Sequence, residues 1–153
     1  MRLPLRLAAS ALLLLLLPAG CGDQQSGPYV GFAGGGFVFD YKTGAVYYGF
    51  LVRPLRSLPK GTVLEAQFED PAGGPSIMDR MTVVEVKPHY GFRTPPLSGV
   101  KKDRPYHVEI HVLEAGDGRL LASYGRTFKS DVDQAWFDEP GAGTGTAGAT
   151  PPG

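Results

Sequence analysis

The chain reads as an all-β protein, an antiparallel β-sandwich of about seven strands. Three observations lead there. Short apolar runs recur through residues 29–137, each closed by Gly, Pro or Asp. Two of the runs alternate apolar and polar residues strictly, the period of a strand with one buried face. Gly and Pro are abundant, 22 and 14 of 153 residues, and both weaken helix interiors.

The first strand is expected over 37–41, ahead of Lys42-Thr43-Gly44. Gly31, Gly34, Gly35 and Gly36 precede it and read as a flexible entry. A phosphate-binding loop would need a helix N-terminus after the glycines, and Phe37-Val38-Phe39 is strand-like instead. The second strand covers 45–53 and stops near Pro54. The third, 62–69, starts after Pro59-Lys60-Gly61, with Leu64, Ala66 and Phe68 facing in. The fourth covers 77–86 and ends before Pro88. The fifth covers 89–94, before Pro95-Pro96. The sixth, 106–114, carries the clearest alternation: Tyr106, Val108, Ile110 and Val112 inward, His107, Glu109 and His111 outward. The seventh, 120–129, puts Leu120, Ala122, Tyr124 and Phe128 on one face, but Arg126 shares their parity. A bulge near Gly125 would resolve that conflict. Trp136 or Phe137 is expected to pack on the sandwich edge and pin the end of the domain. Residues 138–153 have no large apolar side chain and read as a disordered Gly/Thr/Ala/Pro tail.

The segment 96–106 leads from a polar corner into Tyr106 at the start of the penultimate strand. This resembles the tyrosine corner of immunoglobulin-like and fibronectin-like sandwiches. The resemblance implies that the Tyr106 hydroxyl bonds the corner backbone. Val108 stands where the second cysteine of a disulfide-bonded immunoglobulin domain would be. Phe68 would serve in place of the tryptophan on the third strand.

Ahead of the domain, Arg2 and Arg6 flank an apolar run, 7–17, that leads to Pro18-Ala19-Gly20-Cys21. This is the layout of a signal peptide, residues 1–20. Eleven helical residues would span roughly 16 Å, short of the ~30 Å of a bilayer core. Ala19-Gly20-Cys21 resembles the lipobox of bacterial lipoprotein precursors, with Pro18 where that family usually has Leu. The resemblance implies cleavage before Cys21 and lipidation of its thiol, with two or three acyl chains holding the protein to a membrane. A soluble secreted domain with a spectator cysteine is the alternative. Residues 21–28 then form a polar tether. Gly22, rather than Asp, follows the cysteine, which by the same resemblance points to the outer membrane over the inner.

Charge and cysteine count narrow the partners. Without Arg2 and Arg6, thirteen basic residues face fifteen acidic ones, a poor balance for nucleic-acid binding. With one cysteine, no intramolecular disulfide forms. His107, Glu109 and His111 sit two apart on one strand face, about 6.7 Å per step, a spacing at which two side chains can converge on a metal. They are weak metal candidates, with His89 or Glu85 as a third ligand; the bland reading is a solvated polar face. The strings Ser57-Leu58-Pro59-Lys60, Ser98-Gly99-Val100-Lys101 and Lys42-Thr43-Gly44 imitate penicillin-binding motifs. The serines sit in Pro/Gly-flanked corners rather than on a helix, so the match fails. The acidic stretch around Asp131 and Asp133 lacks calcium-loop spacing. No catalytic residue and no cofactor is expected. The function read from the sequence is a membrane-anchored, non-enzymatic envelope module that binds a protein partner or serves a structural role. The alternative is a small-ligand or metal binder using the His107/Glu109/His111 face.

Overall fold

The computed structural model describes residues 27–138; residues 1–26, with the expected signal peptide, Cys21 and most of the expected tether, and residues 139–153 lie outside them. Seven strands follow in order: β1 (Val30–Asp40), β2 (Ala45–Pro54), β3 (Val63–Phe68), β4 (Ile77–Thr82), β5 (Tyr90–Arg93), β6 (Pro105–Leu113) and β7 (Leu120–Lys129). A single helical turn, α1 (Ala135–Asp138), closes the described chain. The strands form two antiparallel sheets, ordered β1-β2-β5 and β4-β3-β6-β7. This is the immunoglobulin-like order, in which β3, β6 and β7 take the places of C, F and G and β4 extends that sheet.

Alternation produces the core. Leu64, Ala66 and Phe68 of β3 and Tyr106, Val108, Ile110 and Val112 of β6 are buried, as are Val46, Tyr48, Phe50 and Val52 of β2. The inner faces interlock through aromatic rings. Tyr48 stacks on Phe37 at 4.4 Å, and Phe68 meets Tyr48 and Phe50 at 5.3 and 5.2 Å. Offset and edge-on pairs at these separations add to area burial. Phe68 thus occupies the inter-sheet position that the resemblance assigned to it, and the buried Val108 pairs with it across β3 and β6.

The tyrosine corner is present. The Tyr106 hydroxyl accepts the Lys101 backbone N–H at 2.7 Å. Asp103 turns that corner with a left-handed φ of 60°, and its N–H bonds Ser130 C=O at 2.8 Å. Tyr48 gives its own hydroxyl proton to the Tyr106 carbonyl, 3.1 Å, so two tyrosines tie β2, β6 and the corner together.

Four expectations need correction. The glycines at 31–36 are not a flexible entry: β1 starts at Val30 and pairs with β2 throughout, with a bulge between Phe32 and Gly34. Close packing explains Gly35, because a Cβ there would lie 2.7 Å from Phe128 Cζ and from Phe50 Cβ. β4 ends at Thr82, not at 86: Val83 is buried and exchanges backbone bonds with the 61–62 segment (Gly61 N–H to Val83 C=O, Val83 N–H to Thr62 C=O). No bulge occurs at Gly125, which pairs with Glu109 in register; the β6–β7 irregularity is at Val112/Leu113. Arg126 keeps its parity by lying over the Phe128 and Phe32 rings at 5.2 and 5.9 Å, a cation–π arrangement. Finally, Asp138 belongs to α1 rather than to the tail.

The end of the domain is pinned as expected. Phe137 stacks on Phe39 at 5.0 Å. Gln134 accepts the Val100 N–H (3.1 Å) and donates to Leu97 C=O (2.8 Å). The free edge of β5 is blunted, because the outward Arg93 N–H donates to the Asp79 carboxylate at 3.2 Å.

Tyr106→Phe removes the acceptor for Lys101 N–H and leaves that corner group without a partner. It is expected to cost about 1–2 kcal/mol, read as a lowered urea midpoint at unchanged slope. An unchanged midpoint would show that the corner does not depend on the hydroxyl.

Candidate functional site

The outer faces of the two sheets differ in chemistry. On the four-stranded sheet, register places Arg80, Glu65, His111 and Ser123 side by side across β4, β3, β6 and β7. The Glu65 carboxylate accepts Arg80 Nε–H at 2.9 Å and a second bond from Arg80 Nη2. His111 stands between two carboxylates. Its Nδ1 is 3.5 Å from Glu65 Oε1, and its Nε2 is 3.4 Å from Glu109 Oε2. Gln67 Nε2 lies 3.2 Å from Nδ1. With Gln67 as donor, Nδ1 is the acceptor, and the Nε2–H faces Glu109. Ser123 donates to the other Glu109 oxygen at 2.7 Å.

His107, Glu109 and His111 therefore share the outward face, as alternation requires, but only two of them meet. The His107 ring lies across Gly125 of β7, where a Cβ would come within 2.8 Å of its Cε1. Its backbone N–H goes to Glu69 Oε2 at 2.9 Å. Among the described residues, no group of three or more His, Cys, Asp or Glu side chains is placed to hold a metal ion. Glu85 and His89 sit on the β4–β5 loop, where Glu85 pairs with Lys87 at 3.5 Å.

The Arg80 hydrogen bond holds the Glu65 carboxyl below its ordinary range, and the Ser123 hydroxyl does the same for Glu109. Each carboxylate is thus favoured in the folded chain. Its contribution is complete above the unfolded pKa, ordinarily near 4.3, and is lost as pH falls through the lower folded value. Glu65→Gln is expected to be less stable than the parent at pH 7. Its urea midpoint should also fall less between about pH 5 and pH 3. Parallel acid profiles for the two proteins would remove Glu65 from the acid response.

The outer face of β1-β2-β5 is bare instead of charged. Register sets Gly36, Gly49 and Arg93 in one row and Gly34, Leu51 and Gly91 in the next. With four side chains missing from adjacent positions, the sheet surface dips into an open, mostly apolar groove of about 470 Å³. Val38 and Leu51, 59% and 46% exposed, border it. The Arg93 guanidinium stands 4.2 Å from the Tyr47 ring centre at one end. The expectations from sequence missed this surface, since the β1 glycines read as a linker. A signal was there: Gly49 and Gly91 each interrupt an apolar strand pattern, which marks a close approach or a bared face.

No protein-family model and no curated protein matches the chain. Among solved structures, it is similar to an endonuclease/exonuclease/phosphatase from Beutenbergia cavernae at 17% identity and a TM-score of 0.31. The match covers 63% of this chain and 27% of that one, so the chain spans about a quarter of that protein's length. A likeness of this extent defines no activity.

Proposed function

We propose that the chain is a lipid-anchored, non-enzymatic module of the cell envelope, whose sandwich presents a binding surface to a protein partner. The anchor is Cys21, on the strength of the Ala19-Gly20-Cys21 ending and the apolar run before it. The observation that carries the binding reading is the groove on β1-β2-β5. It combines apolar borders, exposed backbone and one guanidinium, the mixture found at contact surfaces. The polar side chains of the other sheet support a structural role there, because they are engaged with one another across strands. Ser123 gives its proton to Glu109, whose other oxygen faces His111, and Arg80 is paired with Glu65.

Two measurements test the two halves. The mature N-terminus should begin at Cys21 with acyl mass, and Cys21→Ala should leave the membrane fraction. A free thiol on a chain that starts elsewhere would make this a soluble secreted domain. For the groove, a photo-crosslinking residue at Val38 should capture a discrete envelope protein, and one at Met78, on the opposite sheet, should not. Equal capture from both positions would reject the groove.

A further inference from the structure

The exposed aliphatic side chains are unevenly distributed. Leu55, Val84, Val86 and Leu120 are 45%, 64%, 75% and 53% exposed. All four lie at one end of the sandwich. Strand direction fixes this: β1 starts there, β2 finishes there at Pro54, and β5 starts there at Tyr90. The 55–62, 83–89 and 114–119 connections are thus gathered at that end. They touch: Leu55 N–H bonds Tyr29 C=O at 2.9 Å, Gly61 N–H bonds Val83 C=O at 2.8 Å, and a Cβ on Gly61 would lie 3.0 Å from Ala115.

The most exposed pair is held firmly. The Tyr90 hydroxyl donates to Glu85 C=O at 3.0 Å and accepts Lys87 N–H at 3.2 Å. Val83, just before, is buried. Val84 and Val86 are therefore presented by a braced loop. Apolar side chains on a braced loop are suited to insertion, because little ordering remains to be done on contact.

The charges at the two ends differ in sign. At the β1-start end, Arg53, Arg56, Lys60, Lys87 and Arg119 stand against Glu85, Glu114 and Asp117, with Lys87 paired to Glu85 and Arg119 to Glu114. The opposite end carries seven acidic residues, Asp40, Glu69, Asp70, Asp103, Asp131, Asp133 and Asp138, against five basic ones, Lys42, Lys101, Lys102, Arg104 and Lys129, with Lys101 and Arg104 paired to Asp133 and Glu69. The positive, apolar end is also the end from which the N-terminal segment leaves. Seven residues lie between Cys21 and Tyr29, eight steps with a reach of at most ~29 Å.

From this we infer that the β1-start end of the sandwich is a membrane-contacting surface fitted to an anionic phospholipid bilayer. Val84 and Val86 enter the interface, and the surrounding cations meet the headgroups. The inference rests on the anchor reading for its geometry. It leaves the groove on β1-β2-β5, a lateral face of an upright sandwich, open to a partner.

The test imposes the anchor chemically. The chain from Cys21 onward is coupled through that thiol, the sequence's single cysteine, to a maleimide-bearing lipid in vesicles with brominated acyl chains. Trp136, the single tryptophan, lies at the opposite end and should keep its fluorescence. Val84→Trp in a Trp136→Phe background should be quenched at least twofold in vesicles rich in phosphatidylglycerol. Adding Val86→Asp and Lys60→Glu should at least halve that quenching, while urea midpoints confirm that each variant folds. Equal quenching at positions 84 and 136, or quenching at 84 that the two charge changes leave intact, would overturn the inference. Since the coupling does not depend on native lipidation, an unmodified Cys21 in cells would sink the anchor alone.

Discussion

The two sheets meet through Tyr48, and much of the sandwich is arranged around that side chain. A buried phenol needs a partner for its proton, since an unsatisfied hydroxyl in an apolar interior costs on the order of 1–3 kcal/mol. Here the partner is the Tyr106 carbonyl on the facing sheet. That bond fixes how β2 lies over β6. The ring then sets its neighbours: Phe37 stacks on one side, and Phe68 and Phe128 meet it edge-on. Burial drives the Tyr48 pKa upward, with the nearby Glu69 charge adding to it, so the phenol remains a donor at any physiological pH. Tyr106 continues the linkage, because its own hydroxyl holds the corner that leads into β6. A domain without a disulfide thus gains through two tyrosines an inter-sheet tie that other sandwiches obtain from cystine.

Glycine shapes both sides of the three-stranded sheet for opposite reasons. On the inner side, Gly35 leaves space that Phe128 and Phe50 fill. On the outer side, Gly34 and Gly36 face open space, while a Cβ at Gly49 would meet Phe92 C=O at 2.9 Å and one at Gly91 would meet Leu51 Cδ2 at 3.2 Å. The first substitutes a partner's ring for a side chain, and the second exposes backbone. Strand interiors seldom accept so many glycines. Continuous pairing with β2 and the bulge at Ala33 allow β1 to carry them.

Much of this was legible in the residues. Alternation in 62–69 and 106–114 found β3 and β6 with their faces correct, because both strands lie inside a sheet with one buried side. Tyr106 could be assigned because its corner follows a sequence pattern. Gly35 could not be read as part of a strand, since what makes it necessary is the position of Phe128, about ninety residues later. The end of β4 was hidden for a similar reason. Val83 continues the inward parity of Ile77 and Met81 and bonds Thr62. Val84 and Val86 look like further alternation in the sequence, but they have no strand to pair with among the described residues and are exposed. Arg126 shows that parity can hold where polarity objects, provided that aromatic faces receive the cation. For the His107/Glu109/His111 face, spacing gave the shared side correctly. It could not show that Glu65, a neighbour only through strand pairing, would engage His111.

The Asp79 carboxylate on the rim of β5 bears on behaviour in a crowd. An uncapped edge N–H invites a strand from the next molecule, and one such pairing leaves another edge open for a third. By occupying the Arg93 N–H, Asp79 removes a bond that such a chain of additions would use. A population of these domains confined to a surface, where encounters are frequent and orientations shared, would meet repeatedly without polymerising along β5.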